Sequence, residues 1–134
     1  MAGAFQCSVV TPEEEVFDGE VAYASIPAWD GQVGVAPQRA AMLLKLGDGI
    51  LRLDAPEGAA TRFFVGGGIA QMKDNRLMLL SDEAIAPNAV DLEETRAVLA
   101  ASESRRATTP EEVEQRSRAM RRARALLQLA SDAG

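Results

Sequence analysis

The sequence predicts an α+β chain: an N-terminal antiparallel β-sandwich over residues 1–87, then a C-terminal antiparallel α-helical hairpin over residues 88–134. Three observations predict it. Ten of the eleven glycines precede residue 88, and they punctuate short runs of β-forming residues. The charge balance changes near Pro87-Asn88: twelve acids face six bases up to Val90, and eight face eight from Asp91 onward. Beyond that boundary two stretches open with helix-capping patterns and run on without glycine.

Taken in order, Phe5–Val10 reads as a first strand. Thr11-Pro12-Glu13-Glu14 has the form of a capping box, but Asp18-Gly19 follows too soon for a helix, so a turn with Val16 and Phe17 packed inward is expected. Residues 20–29 alternate as one strand, with Val21, Tyr23 and Ser25 on one side and Ala22, Ala24 and Ile26 on the other. Pro27, lacking an N–H, places the end of that strand at a sheet edge.

Residues 30–53 hold the densest punctuation. Gly31 and Gly34 bracket Gln32-Val33, and Pro37 stops the Val35-Ala36 run. Gly47-Asp48-Gly49 is expected to join residues 42–46 and 50–54 as a hairpin. Pro56 and Gly58 mark another turn, and residues 61–65 form a strand. Gly66-Gly67-Gly68 interrupts it, as a bulge or a close approach of two backbones. Residues 69–73 resume, Asp74-Asn75 is a tight hairpin, and residues 76–81 form the last clear strand, with Ala84-Ile85 a short one.

Asp91 is the expected N-cap of a first helix ending near Ser102 or Ser104, with Glu94 reaching back. Thr109-Pro110-Glu111-Glu112 opens a second, with proline at the first helical position, where its missing N–H costs nothing. Val113, Met120, Ala123, Leu127 and Ala130 form its apolar stripe, and Leu92, Val98 and Leu99 are the matching residues on the first helix. So thin a stripe predicts a weakly docked, mobile hairpin.

The chain has no histidine, which excludes Ser-His-Asp and Cys-His catalysis and imidazole metal ligation. A net charge of −6 with one tryptophan and one tyrosine argues against nucleic-acid binding. Cys7 is the only cysteine, and its apolar setting predicts a buried structural thiol in a reducing compartment. No apolar run reaches the ~20 residues that span a bilayer, so no membrane insertion is expected. Met1-Ala2-Gly3-Ala4 does not open like a signal peptide.

Three residue groups invite chemistry. Gly66-Gly67-Gly68 lacks the Lys-Ser/Thr of a phosphate loop. Asp82-Glu83 and Asp91, Glu93 and Glu94 are carboxylate groupings, of which the second is explained by the positive end of a helix. Arg116, Arg118, Arg121, Arg122 and Arg124 cluster on the last helix, either as a solvated face or as a site for phosphate or a partner protein. No catalytic or metal-ligating constellation is expected. A small-ligand, nucleotide-binding sandwich with a helical lid, and a hydrolase using Asp82 or Glu83, are the rival readings.

The order Gly31, Gly34, Pro37, Ala40, Leu43, Leu46, Gly49 and Arg52 resembles the epsilon subunit of the F-type ATP synthase, called delta in mitochondria. So do Phe64-Val65-Gly66-Gly67-Gly68-Ile69-Ala70 and the run from Arg76 to Ile85. The resemblance covers the whole chain and is strongest over residues 5–86. It implies a non-catalytic central-stalk subunit that links a gamma-type shaft to the membrane c-ring. It also implies a helical hairpin that regulates ATP hydrolysis at the catalytic head. The corner holding Gln32 and Arg39 would face the rotor ring, with Arg39 standing where many members have histidine. Arg116, Arg121 and Arg124 would meet acidic surfaces of the catalytic subunits.

Some bacterial members bind ATP through Ile/Leu-Asp-x-x-Arg-Ala on the first helix. Here Leu92-Glu93-Glu94-Thr95-Arg96-Ala97 matches, with glutamate for aspartate. The resemblance therefore implies at most a weak regulatory ATP site at Glu93, Arg96, Arg118 and Arg122, and no other cofactor. Read without the resemblance, Arg96 is a surface partner for Glu93 or Glu103. The implied location is peripheral, on the cytoplasmic face of a bacterial plasma membrane.

Overall fold

The structure is a computed structural model that describes residues 3–132. Met1 and Ala2, on which the reading of the chain's start partly rests, lie outside the described residues, as do the last two. The chain forms two compact units that part between Ile85 and Ala86.

The first unit is a sandwich of two five-stranded sheets. One sheet holds β1 (Phe5–Val10), β2 (Glu15–Val21), β5 (Met42–Lys45), β8 (Ile69–Lys73) and β9 (Arg76–Leu80), in the order β2-β1-β9-β8-β5. The other holds β3 (Tyr23–Ala28), β4 (Gly31–Val35), β6 (Asp48–Asp54), β7 (Ala60–Gly66) and β10 (Glu83–Ile85), in the order β10-β7-β6-β3-β4. These are called sheets A and B. Pairing is antiparallel except between β1 and β9, which run parallel. Alternate residues meet between the sheets: Phe5, Cys7 and Val9 from β1, Leu77 and Leu79 from β9, Ala24 and Ile26 from β3, Leu51 and Leu53 from β6, all buried. Burying each of the larger aliphatic or aromatic side chains stabilises by about 1.5–3 kcal/mol. Cys7 is fully buried, and removal from water, with Asp18 as a second cause, pushes its thiol up to about 12. It is an inert core residue.

Four expectations change. Residues 20–29 are not one strand. The chain leaves sheet A after Val21 and enters sheet B at Tyr23, so Val21 and Ala24 are both buried although they lie on opposite sides of the alternation. Asp18-Gly19, expected to cut the segment short, lies within β2, where Cys7 faces Gly19 across the ladder. The expected turn forms at residues 11–14, where the Thr11 N–H donates to the Glu14 carbonyl at 2.8 Å, and Val16 and Phe17 follow it as half-buried strand residues. Pro27 is not on an edge strand, since β3 lies between β6 and β4. Its pairing with β6 ends at Ser25, however, so no ladder bond is asked of the proline.

The fourth change concerns residues 42–54. Met42–Lys45 and Asp48–Asp54 are not a hairpin: β5 pairs with β8 in sheet A, and β6 pairs with β3 and β7 in sheet B. Gly47 is the crossing point. A Cβ there would stand 3.0 Å from the Ala28 carbonyl oxygen and 3.1 Å from Trp29 Cα, so only glycine passes without displacing backbone. The triple glycine makes a second crossing, from β7 to β8. A Cβ on Gly68 would overlap the Leu80 carbonyl oxygen, and the residue sits at φ +109°. Close backbone approach, one of the two expected accounts, is the one observed. Asp74 and Asn75, at φ 53° and 58°, form the tight hairpin between β8 and β9.

The second unit begins with a short 3-10 turn, Pro87–Ala89. It continues with α1 (Leu92–Ser104) and α2 (Pro110–Asp132), joined by residues 105–109 and packed on each other. Asp91 Oδ1 accepts the Glu94 N–H at 3.0 Å, capping α1 as expected. The apolar assignments shift. Ala123, Leu126 and Leu129 are the buried residues of α2, whereas Val113 is exposed. On α1, Leu92 and Val98 are exposed, while Thr95 and Ser102 are buried with Leu99 half-buried between them. Thr95 escapes the cost of burial by donating its hydroxyl to the Asp91 carbonyl at 2.6 Å.

The crossing geometry yields a paired prediction. Gly58 and Gly68 share a positive φ, but a Cβ on Gly58 meets nothing within 4 Å. Gly58→Ala is expected to cost about 1 kcal/mol, the left-handed penalty alone. Gly68→Ala adds the clash and is expected to cost at least about 3 kcal/mol. Denaturant unfolding of the two variants measures the difference.

Candidate functional site

Three surfaces hold the residues of interest. The first is the outer face of sheet A. Residues that alternate with the core on β5, β8 and β9 point outward, and the ladder registers set them side by side. Lys45 faces Ile69, which faces Leu80. Leu43 faces Gln71, which faces Met78. Lys73 faces Arg76. On the neighbouring β1, Val10 lies beside Leu80. Leu43, Ile69, Met78 and Leu80 are all exposed, Leu43 at 69%. A shallow depression of about 250 Å³ continues this face, lined by Gln71, Lys73, Asp74, Arg76 and Met78. An exposed apolar patch with a cationic margin is a binding surface rather than a reaction site. Sequence reading did not single it out. The signal was there: Leu43, Ile69, Met78 and Leu80 fall in the strand phase opposite to Leu44, Ala70, Met72, Leu77 and Leu79, and one buried face does not need them.

The second surface is the free edge of sheet B, β4 with the loop after it, and it brings Gln32 and Arg39 onto one edge. Gln32 is exposed, yet its side-chain amide donates to Ser25 Oγ and to the Ile50 carbonyl, each at 3.0 Å. By register Pro27 would face Ile50 and has no N–H to offer, so the Gln32 amide supplies a donor on that side. Arg39 Nη1 donates to the Gly34 carbonyl at 2.7 Å, which pins its side chain along the edge strand. Gln38, at φ 65°, gives its backbone N–H to Asn75 Oδ1 at 2.8 Å, tying this loop to the β8–β9 hairpin. Trp29, at 69% exposure, stands at the turn where β4 begins.

The third surface is the helical unit. Glu93 and Arg96 are exposed, one turn apart on α1, and Arg118 and Arg122 are one turn apart on α2. Among the described residues neither Glu93 nor Glu103 pairs with Arg96. Glu103 lies 3.8 Å from Arg124 instead. Arg121 lies 3.4 Å from Glu114. Arg116 turns inward: its Nε donates to the Ser102 carbonyl at 2.9 Å and its Nη2 to the Glu103 carbonyl at 3.1 Å. It caps the last turn of α1, whose carbonyls have no helical partner.

Asp82 and Glu83 sit against the triple glycine. A Cβ on Gly66 would be 2.8 Å from Glu83 Oε1, and one on Gly67 would be 3.0 Å from Asp82 Oδ2. Ser81, buried beside them, directs its hydroxyl at the carbonyls of Gly67 and Glu83. These glycines make room for the strand that leaves β9. Among the described residues no group of three or more Cys, Asp or Glu is placed to hold a metal ion. No described helix is long and apolar enough to cross a membrane.

Comparison with known proteins places these surfaces in context. Residues 4–87 match the family described as ATP synthase, Delta/Epsilon chain, beta-sandwich domain. An ATP synthase epsilon chain of Rhodopirellula baltica is 38% identical over 124 residues, 92% of this chain and 96% of that protein. One from Persephonella marina is 32% identical over 130 residues, 94% and 96% of the two chains. Among solved structures, a chain of the Euglena gracilis mitochondrial ATP synthase, in an OSCP/F1/c-ring structure, superposes with a TM-score of 0.83 at 19% identity. It covers 93% of this chain and 80% of that one. A chain of the Tetrahymena thermophila mitochondrial ATP synthase central stalk/c-ring gives 0.64 at 16% identity, covering 93% and 95%.

The start of α2 gives a pH prediction. Glu112 Oε1 accepts N–H groups from Thr109 at 3.0 Å and Thr108 at 3.4 Å, and the Thr108 hydroxyl at 3.2 Å. These bonds hold its carboxyl below the usual range, the backbone bond from Thr109 first. The contribution is full above the ordinary glutamate pKa of about 4.3 and is lost as pH falls through the lowered folded value. Amide exchange at residues 109–113 should therefore quicken in acid, and Glu112→Gln should flatten that dependence.

Proposed function

The chain belongs to the delta/epsilon family of the ATP synthase, and from that membership we propose how its surfaces are used in the stalk. It is a non-catalytic stalk subunit of the synthase, associated with the membrane through that complex. The observation that carries this is the near full-length match to curated epsilon chains on both sides of the alignment.

In this reading the outer face of sheet A seats the gamma-type shaft. The exposed Leu43, Ile69, Met78 and Leu80 supply apolar area, and Lys45, Lys73 and Arg76 supply the charge that orients the partner. The β4 edge with Gln32 and Arg39 meets the polar loops of the c-ring. The arginine's fork of N–H donors pairs with carboxylates more strongly than a neutral histidine would. The sandwich passes torque between the two because its strands are tied by continuous ladders. The helical unit regulates hydrolysis at the catalytic head through Arg121 and Arg124, Arg116 being taken up within the hairpin. Glu93, Arg96, Arg118 and Arg122 are where a weakly bound ATP would sit. The complex works at the cytoplasmic face of a bacterial inner membrane.

Two experiments test this. Ile69→Glu or Met78→Glu in the full chain should weaken binding to the gamma-type subunit at least about tenfold, as loss of a central contact does. Glu57→Gln, on the distant β6–β7 turn, should not. Wild-type affinity in both face variants would remove sheet A as the seat. Second, ATP hydrolysis should be followed in an epsilon-depleted synthase to which either the full chain or residues 1–88 has been added and shown to bind. Suppression by the full chain alone is expected, and equal rates would leave the helices without a regulatory role.

A further inference from the structure

We propose that Thr108 is a phosphorylation site for an arginine-directed serine/threonine kinase, and that its modification releases the capping contact that starts α2. Neither the site nor the release depends on how the sandwich surfaces are used in the stalk.

The linker between the helices reads Arg105-Arg106-Ala107-Thr108-Thr109-Pro110. Two guanidinium groups precede the Thr108 hydroxyl by three and two residues. A kinase that selects by charge reads such cations with carboxylates along its peptide groove. It also needs an accessible, non-helical segment. Residues 105–108 belong to no helix or strand, Arg105 is extended at φ −70° and ψ 132°, and Arg105, Arg106 and Thr108 are exposed. Neighbouring hydroxyls fit less well. Ser104 precedes the arginines and is bonded to carbonyls within α1. Ser117 and Ser131 lie inside α2. Thr109 is engaged as the N-cap, its Oγ1 accepting the Glu112 N–H at 3.1 Å.

In the transfer the kinase's carboxylate takes the Thr108 Oγ proton, and that oxygen attacks the γ-phosphorus of ATP. An O–P bond forms, the bond to the bridging oxygen breaks, and ADP leaves with the electron pair. The product carries about −1.5 to −2 charge at neutral pH. It stands where Glu112 now accepts the Thr108 hydroxyl at 3.2 Å, the Thr108 N–H at 3.4 Å and the Thr109 N–H at 3.0 Å. Two anions do not share that position. The phosphate gains Arg105 and Arg106 as counter-charges, at the expense of the 3.3 Å bond from Arg105 to Gln115. Glu112 is driven off, and α2 keeps the Thr109 cap but loses the reciprocal arm.

The full chain, magnesium-ATP and the catalytic domain of an arginine-directed kinase suffice to test this, with mass spectrometry to place the phosphate. One phosphoryl group on Thr108 is expected in the wild type and in Thr109→Ala, and none in Thr108→Ala. Arg105→Ala with Arg106→Ala should lower the initial rate at least about tenfold. Phosphorylation should also quicken amide exchange at residues 109–113. Absence of labelling, labelling on another residue, or an unchanged rate without the arginines would overturn the site. Labelled Thr108 with unchanged exchange at residues 109–113 would overturn the release of the cap.

Discussion

The sandwich depends on a seam where three chain segments meet at one end. Trp29 N–H donates to the Lys45 carbonyl at 3.0 Å, Gly47 N–H to Pro27 at 2.8 Å, and Leu46 N–H to Gly68 at 2.9 Å. Each segment is a place where a strand ends or the chain changes sheets. Backbones approach there more closely than side chains permit, which is why Gly47 and Gly68 occupy the crossings. Once the seam is closed, β5 must pair in sheet A and β6 in sheet B. The registers that bury Leu51 and Leu53 on one side and expose Leu43 on the other follow from it.

This explains which parts of the fold were legible in the sequence. Elements whose signals are local were readable. The Asp91 and Thr109 caps, proline at the start of α2, the Asp74-Asn75 hairpin and the stop at Pro37 each rest on contacts within a few residues. The crossings were not readable in this way. Gly47-Asp48-Gly49 has the chemistry of a hairpin turn whichever sheet receives the next strand, and only the Ala28 and Trp29 backbones, distant in sequence, decide the matter. Val21 and Ala24 broke a clean alternation because the strand changed sheets between them. In the helices, alanine at many positions blurred the stripe, so Leu126 and Leu129 lost out to Val113. Gln32 and Arg39 were read as outward contacts, and the sequence could not show that both also bond to their own sheet.

The two units are stabilised differently. In the sandwich, apolar burial between the two sheets contributes most. The helical unit offers fewer buried apolar side chains, and on α1 the residues taken out of water include Thr95 and Ser102. Much of its definition comes from end contacts: Asp91 on α1, Thr109 with Glu112 on α2, and Arg116 on the carbonyls of Ser102 and Glu103. N-caps such as those of Asp91 and Thr109 are worth about 1 kcal/mol each. They are also made or broken individually, by a charge change or a competing partner, without disturbing a packed core. A unit built this way opens at lower cost than one held by interdigitated side chains.

The outer face of sheet A adds a constraint of another kind. A free sandwich gains nothing from placing Leu43, Ile69, Met78 and Leu80 on its outer face, and it loses solubility by doing so. Charge on that face is graded too. Lys45, Lys73 and Arg76 lie toward β5, β8 and β9, while Asp18 and Glu20 lie on β2 at the opposite edge. Six bases serve the whole chain up to Val90, and three of them lie on this face. Apolar area alone would accept a partner in several orientations. A patch with cations along one side and carboxylates along the other accepts one with much less strain than the rest. For a subunit that must hold its angle while a rotor turns, that selection matters as much as the affinity.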